Sequence, residues 1–189
     1  MKIIDITHEL FSCRVFPGDK QPTFKRVRSI ERDNYNLTNI SLCVHNGTHV
    51  DAPNHFIAGG KAVHELDLEL FYGKCTVVEE SGITAALSSR YERLLIKGEC
   101  EISDETARLI AGSNIRLLGV ESQSVADIKS PMSVHKILLG QGIILLEGLD
   151  LSDAEPGEYI LAAFPLKLED ADGSPVRAVL IDYIGEETV

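Results

Sequence analysis

Ile40-Ser41-Leu42-Cys43-Val44-His45-Asn46-Gly47-Thr48-His49-Val50-Asp51-Ala52-Pro53-Asn54-His55 is the stretch on which the fold turns. Ile40, Leu42 and Val44 alternate with Ser41 and Cys43, the period-two pattern of a half-buried strand. His45, His49, Asp51 and His55 continue the face of Ser41 and Cys43, because side chains two apart on a strand point the same way. One face is therefore predicted to feed a core while the other presents imidazoles and a carboxylate. On a fully extended strand His45 and His49 would have Cα atoms about 13 Å apart. A histidine nitrogen sits roughly 2.0–2.1 Å from a bound zinc, so that span is too wide for comfortable tetrahedral sharing. The chain must bend, and Gly47 is the residue that permits it. Gly47, the β-branched Thr48 and Val50, and Pro53 argue against a helix. The expectation is a kinked strand ending at Pro53.

Short apolar segments bounded by Gly, Pro, Asp and Asn continue in both directions. Ile3–Ile6, Cys75–Val78, Leu94–Ile96, Ile115–Gly119, Gly142–Leu146, Tyr159–Ala163 and Val176–Tyr183 are Val-, Ile- and Leu-rich strand candidates. Phe16-Pro17-Gly18-Asp19 and Asp170-Ala171-Asp172-Gly173 read as turns. Ser103 before Asp104 and Glu105, with Gly112 at the far end, is an N-cap, an acidic first turn and a glycine stop. Met132–Leu139, closed by Gly140, is a second short helix. The fold class is mixed α/β, with strands dominant.

The chain has 189 residues, 44% hydrophobic and 25% charged, which suits one globular domain over residues 1–189. Its 18 basic and 29 acidic residues leave a net charge of −11, which repels phosphate backbones and anionic lipid. Neither a nucleic acid nor a membrane is expected as a partner. No signal-like apolar stretch opens the chain, and no apolar run approaches the roughly 20 residues that span a bilayer. The expected location is the cytoplasm. Cys13, Cys43, Cys75 and Cys100 are scattered without a C-x-x-C pair, so they read as reduced and buried.

Half of the six histidines fall between positions 45 and 55. Burying so many ionisable groups unpaired is costly, and a divalent cation is the usual compensation. The block therefore points to metal or acid–base chemistry. His135, on a short helix, reads by itself as a surface or boundary residue. Glu147 ends the apolar run Ile143–Leu146 and wants a partner: a metal, Arg177 or Lys136.

His45-x-Gly47-Thr48-His49-x-Asp51-Ala52-Pro53-x-His55-Phe56 resembles the signature of the cyclase family of metal-dependent hydrolases, which includes bacterial kynurenine formamidases and isatin hydrolases. Ile4-Asp5-Ile6-Thr7 with Pro17-Gly18-Asp19, Ser133-Val134-His135, Leu146-Glu147-Gly148-Leu149 and Asp172-Gly173-Ser174-Pro175-Val176-Arg177 extend the resemblance over nearly the whole chain. The resemblance implies the β-rich swivelling β/β/α fold. It also implies that His45, His49 and Asp51 hold one metal ion. Asp51 would bridge to a second ion completed by His135 and Glu147, with His55 as the acid/base group. Two ions per chain, zinc or manganese, a small-molecule substrate and a homodimer or homotetramer follow from the same likeness.

Imidazoles and carboxylates suit either metal, and no cysteine lies in the block. The expected reaction is hydrolysis of a formamide, cyclic amide or related acyl bond. The loop Gly119–Asp127 departs from the kynurenine formamidase pattern, with Ser122-Gln123 where that pattern has Thr-Pro. The chain also has no tryptophan to line an aromatic pocket; Phe11, Phe16, Phe24 and Phe56 could serve, though singly placed aromatics are more often core. Rival readings use the same residues. His49, Asp51 and His135 could form the triad of a non-heme iron oxygenase. Cys43 could be a nucleophile, though a buried cysteine more often acts as a small hydrophobe. The ligands could also serve a non-catalytic metal-binding module. His8 and His64 are expected on solvated surfaces.

Overall fold

The computed structural model describes residues 1–88, 90–127 and 132–182. Its strands are β1 (Lys2–Asp5), β2 (Thr23–Arg28), β3 (Leu37–Ser41), β4 (His49–Asp51), β5 (Tyr72–Glu79), β6 (Arg93–Lys97), β7 (Leu117–Val120), β8 (Ile144–Glu147), β9 (Gly157–Ala162), β10 (Gly173–Pro175) and β11 (Val179–Asp182). The helices are α1 (Ile30–Asp33), α2 (Ile83–Ala86), α3 (Asp104–Ala111) and α4 (Met132–Gly140). Nine strands make one sheet, ordered β1-β11-β9-β5-β6-β7-β8-β4-β10, while β2 and β3 pair separately.

The centre of the sheet explains the apolar runs. β5, β6, β7 and β8 are parallel neighbours, with α2, α3 and α4 in the crossovers between them. Parallel strands are covered on both faces, so they read as near-continuous Leu, Ile and Val. Leu95, Leu117, Ile144 and Leu146 point into one cluster with Ile6, Phe71, Leu161 and Leu180. Leu94, Ile96, Leu118 and Leu145 point the other way, against Ile110 of α3 and Leu138 of α4. The chain beyond β1 bridges the chain beyond β8 at Thr7 and Leu149, so the sheet curls around the first cluster.

The helix signals operate as expected. Ser103 Oγ accepts from Thr106 N at 3.1 Å, and Asp104 and Glu105 occupy the first turn of α3. No helix among the described residues is long and apolar enough to cross a membrane. Tyr183, the expected end of the last strand, lies outside the described residues; β11 runs Val179–Asp182, and Val176 forms an isolated bridge to Pro165.

The strand expected at Ile40–Val44 is corrected. β3 stops at Ser41, belongs to the small two-stranded sheet, and leaves Ile40 58% exposed. Asn46 explains the stop. Its Oδ1 accepts from Cys43 N at 2.8 Å, and its own N–H donates to Cys43 O at 3.0 Å, which closes a turn. The apolar face that does enter the core is carried by Val50 of β4, fully buried in the first cluster.

Candidate metal centre

β4 lies between β8 and β10, both antiparallel to it, with His49 opposite Glu147 and Asp51 opposite Gly173. Alternation sends Val50 into the core and leaves His49 and Asp51 on the other face. Only these two of the four odd-numbered residues lie on the strand. His45 precedes the bend, and His55 ends the single helical turn Pro53–His55. The bend is at Gly47, where φ is +66°, a conformation that side chains with a Cβ rarely adopt. Thr48 Oγ1 donates to Gly148 O at 2.5 Å, which ties the bend to the end of β8. Gly173 leaves room for His45: a Cβ there would lie 2.7 Å from the imidazole Cε1.

The five residues expected as ligands fall into two overlapping groups, His45, His49 and Asp51, and then Asp51, His135 and Glu147. In each group one donor atom per residue lies within 4.8 Å of the others. Asp51 is fully buried, and His49, His135 and Glu147 are each 3% exposed.

Proton counting tests whether a cation fits. A neutral imidazole has one N–H, and an ionised carboxylate only accepts. His49 Nδ1 donates to Gly47 O at 3.0 Å, so a neutral His49 turns a bare Nε2 toward Asp51 Oδ1 at 3.4 Å and Glu147 Oε2 at 3.5 Å. His45 stands between two carboxylates, with Nε2 3.1 Å from Asp172 Oδ2 and Nδ1 2.9 Å from Asp51 Oδ1, so a neutral His45 donates to one of them and turns a bare nitrogen to the other. His135 Nε2 lies 3.3 Å from Glu147 Oε1 and 3.6 Å from Asp51 Oδ2, and the latter oxygen is buried with no hydrogen bond among the described residues. Lone pairs face lone pairs around Asp51. That arrangement requires added protons or cations, and the nitrogen and oxygen donors suit a divalent metal.

Without a metal, protons fill the role. Burial by itself would lower the pKa of His45 and His49, but hydrogen bonds and charge from Asp51, joined at His49 by Glu147, outweigh it and raise both. Asp51 shows the converse: burial opposes ionisation, yet its bonds to His45 and His49 hold its pKa below the usual carboxylate range. Asp172 is likewise lowered, since bonds to His45 and His55 outweigh its desolvation.

A pocket of about 240 Å³ opens beside these groups, lined by His45, His49, His55, Phe56, His135 and Glu147 together with Phe16, Asp19, Gln123 and Ser124. Phe56 stacks on His135 with ring centroids 4.5 Å apart. Of the two readings open for the phenylalanines, the pocket holds for Phe16 and Phe56, and Phe56 also packs against the second apolar cluster. None of Phe11, Phe16, Phe24 and Phe56 is fully buried, and Phe16 and Phe56 wall the pocket. His135 is buried rather than a surface residue. Glu147 meets His49, His135 and Val125 N, whereas Arg177 pairs with Asp5. Cys75 and Cys100 are buried, but Cys13 and Cys43 are only partly so, and all four are free. His8 is exposed and His64 half-buried, accepting from Asp170 N at 3.1 Å.

Asp172 was read from sequence as part of a turn and as the start of a segment resembling the family, with no chemical role. Its Oδ2 accepts from His45 Nε2 at 3.1 Å and from His55 Nδ1 at 3.0 Å. Its separation of 117 residues from His55 hides that meeting from any local pattern.

Residues 4–93 match the family model Cyclase, described as "Putative cyclase". A kynurenine formamidase of Salinibacter ruber (strain DSM 13855 / M31) is 33% identical over 208 residues, covering 96% of this chain and 98% of that protein. A solved structure of a potential metal-dependent hydrolase with cyclase activity superimposes with a TM-score of 0.80 at 28% identity, covering 95% of this chain and 96% of the other. Isatin hydrolase A from Labrenzia aggregata, bound to benzyl benzoate, has the same fold at 24% identity, with a TM-score of 0.79 over 95% of this chain and 93% of its own. The chain belongs to the cyclase family of metal-dependent hydrolases.

Proposed function

We propose that this protein hydrolyses a non-peptide C–N bond, in a formamide, cyclic amide or related acyl substrate. His45, His49 and Asp51 would hold one divalent cation; Asp51, His135 and Glu147 would hold a second, with zinc or manganese as the metal. The observation that carries this reading is the convergence of both donor groups on Asp51, whose Oδ2 is buried without a hydrogen bond among the described residues. The names of its relatives, a kynurenine formamidase at 33% identity and isatin hydrolases of the same fold, support the choice of bond. When bound, such ions lower the pKa of a water toward neutrality and polarise a carbonyl.

The chain's own residues supply the rest. His55 donates its Nδ1–H to Asp172, which leaves Nε2 to take a proton and later hand it to the leaving nitrogen. Phe16 and Phe56 give the pocket an apolar wall against which a flat acyl substrate can rest and water is excluded. His49 is oriented by Gly47 O, so its donor nitrogen needs no rearrangement on binding.

Turnover of a panel of formamides, cyclic imides and lactones by protein reconstituted with zinc or manganese tests the proposal. Expected are activity on a C–N substrate, loss with chelator, recovery with metal, and two ions per chain. One tightly held zinc with no turnover across the panel would overturn it in favour of a metal-binding module.

We further propose a homodimer or homotetramer in the cytoplasm. Exposed Phe24, Leu37 and Ile40 on the β2–β3 hairpin support the first, and four free cysteines the second. Sedimentation would show a monomer if the assembly is wrong.

A further inference from the structure

Asp172 sits immediately before β10, the last strand of the sheet, and its backbone is fixed there. Its carbonyl accepts from Ala52 N at 2.9 Å, and the next residue, Gly173, pairs with Asp51. The side chain is 45% accessible, yet a single oxygen, Oδ2, meets both His45 Nε2 and His55 Nδ1. The two rings lie against each other, with centroids 4.1 Å apart. A carboxylate can only accept: His55 therefore puts its N–H on Asp172, and His45, whose Nδ1 also lies 2.9 Å from the Asp51 carboxylate, does the same when a cation takes the Nδ1 side, each ring then carrying its lone pair on the opposite nitrogen. For His45 that nitrogen is Nδ1, which faces Asp51. For His55 it is Nε2.

We infer that Asp172 is a positioning residue that sets the tautomer and orientation of a metal-holding histidine and of the acid/base histidine through one shared oxygen. The inference rests on the proposed hydrolase reading. Carboxylates behind metal-binding histidines commonly fix ring and tautomer, and their loss costs about 10–100-fold in metal affinity or activity. Here the same oxygen also anchors the group that moves the proton. Metal binding and proton transfer are therefore aligned by one side chain. His45, His55 and Asp172 also bring one donor atom each within 4.8 Å of one another, and in this proposal Asp172 acts through the two histidines rather than on an ion or the substrate.

The test uses the full chain reconstituted with zinc or manganese, as wild type, Asp172→Ala and Asp172→Asn. Metal affinity is read by competition with a chromophoric chelator, and kcat and KM are read at saturating metal on the best substrate of the panel. Asp172→Ala is expected to weaken metal binding about 10–100-fold and to lower kcat about 10–100-fold even when saturated, with KM unchanged. Asp172→Asn keeps an acceptor oxygen for the same two N–H groups and is expected to regain part of both losses. A residue that merely shapes the turn predicts a lower melting temperature with affinity and kcat intact, and that result overturns the inference. Full recovery of kcat in Asp172→Ala at saturating metal also overturns it, since the oxygen would then serve His45 alone. If the wild type turns over nothing on the panel, the hydrolase reading has failed, and chelator competition alone still decides whether Asp172 orients His45.

Discussion

The site has an inner and an outer half that solve the same electrostatic problem differently. In the inner half His49, His135, Asp51 and Glu147 are almost fully buried, and their nitrogens and oxygens stand 3.3–3.6 Å apart. In the outer half His45, His55 and Asp172 keep ordinary hydrogen bonds of 3.0–3.1 Å and reach solvent. Buried charges with no protons between them demand a cation. Groups near water can trade protons instead. The contrast fits the proposed division of labour, an inner half that would hold metal and an outer half that would move protons, with His45 belonging to both.

The largest break in this contrast should come from Asp51→Ala. Both donor groups lose their common member, so turnover is expected to fall to background and bound metal to fall below wild type, as elemental analysis and the substrate panel would show. His55→Ala should separate the halves: kcat falls about 10²–10⁴-fold, the usual worth of a general acid/base, while metal content is unchanged. Equal loss of metal in both variants would erase the distinction.

Acidity sharpens it next. In the metal-free protein His45 and His49 hold their protons more tightly when folded than the ordinary value of 6.5. The stability this contributes is fully present below about pH 6.5 and is lost as pH rises through the folded values. Asp51 and Asp172, lowered from 3.8, contribute stability that is present above that value and lost as pH falls below it. Metal-free melting temperature should therefore decline from mildly acid toward alkaline pH. The metal-loaded protein should lack that decline, because its ligands bind in their deprotonated forms. The smallest effect is expected far from both halves. Ser103→Ala removes the cap of α3 and should cost about 1 kcal/mol in denaturant melts with kcat untouched.

What the sequence disclosed follows the range of its interactions. Ser103, Asp104, Glu105 and Gly112 mark α3 because capping is local, within one turn of chain. The metal block was legible because two of its members share a three-residue strand and the rest lie within a bend of it. The strand at Ile40–Val44 misled because alternation reports a pleated face, not what covers it; the pattern was half right, and its partner was β2, outside the large sheet. Asp172 was out of reach because β10 joins β4 only through the tertiary ladder. Gln123 and Ser124, which line the pocket, gave a hint in the unusual loop Gly119–Asp127, but no spacing rule could place them there.

Val50 is seated among the residues of the first apolar cluster while His49 and Asp51, on either side, hold the donor atoms. A ligand gripped by those neighbours pulls on the same three residues that anchor the interior. Occupancy at about a hundred times the dissociation constant would then add about 2.7 kcal/mol to the folded state. For such a chain a chelating agent acts much as urea does, and the supply of ions in its surroundings sets how much folded enzyme persists.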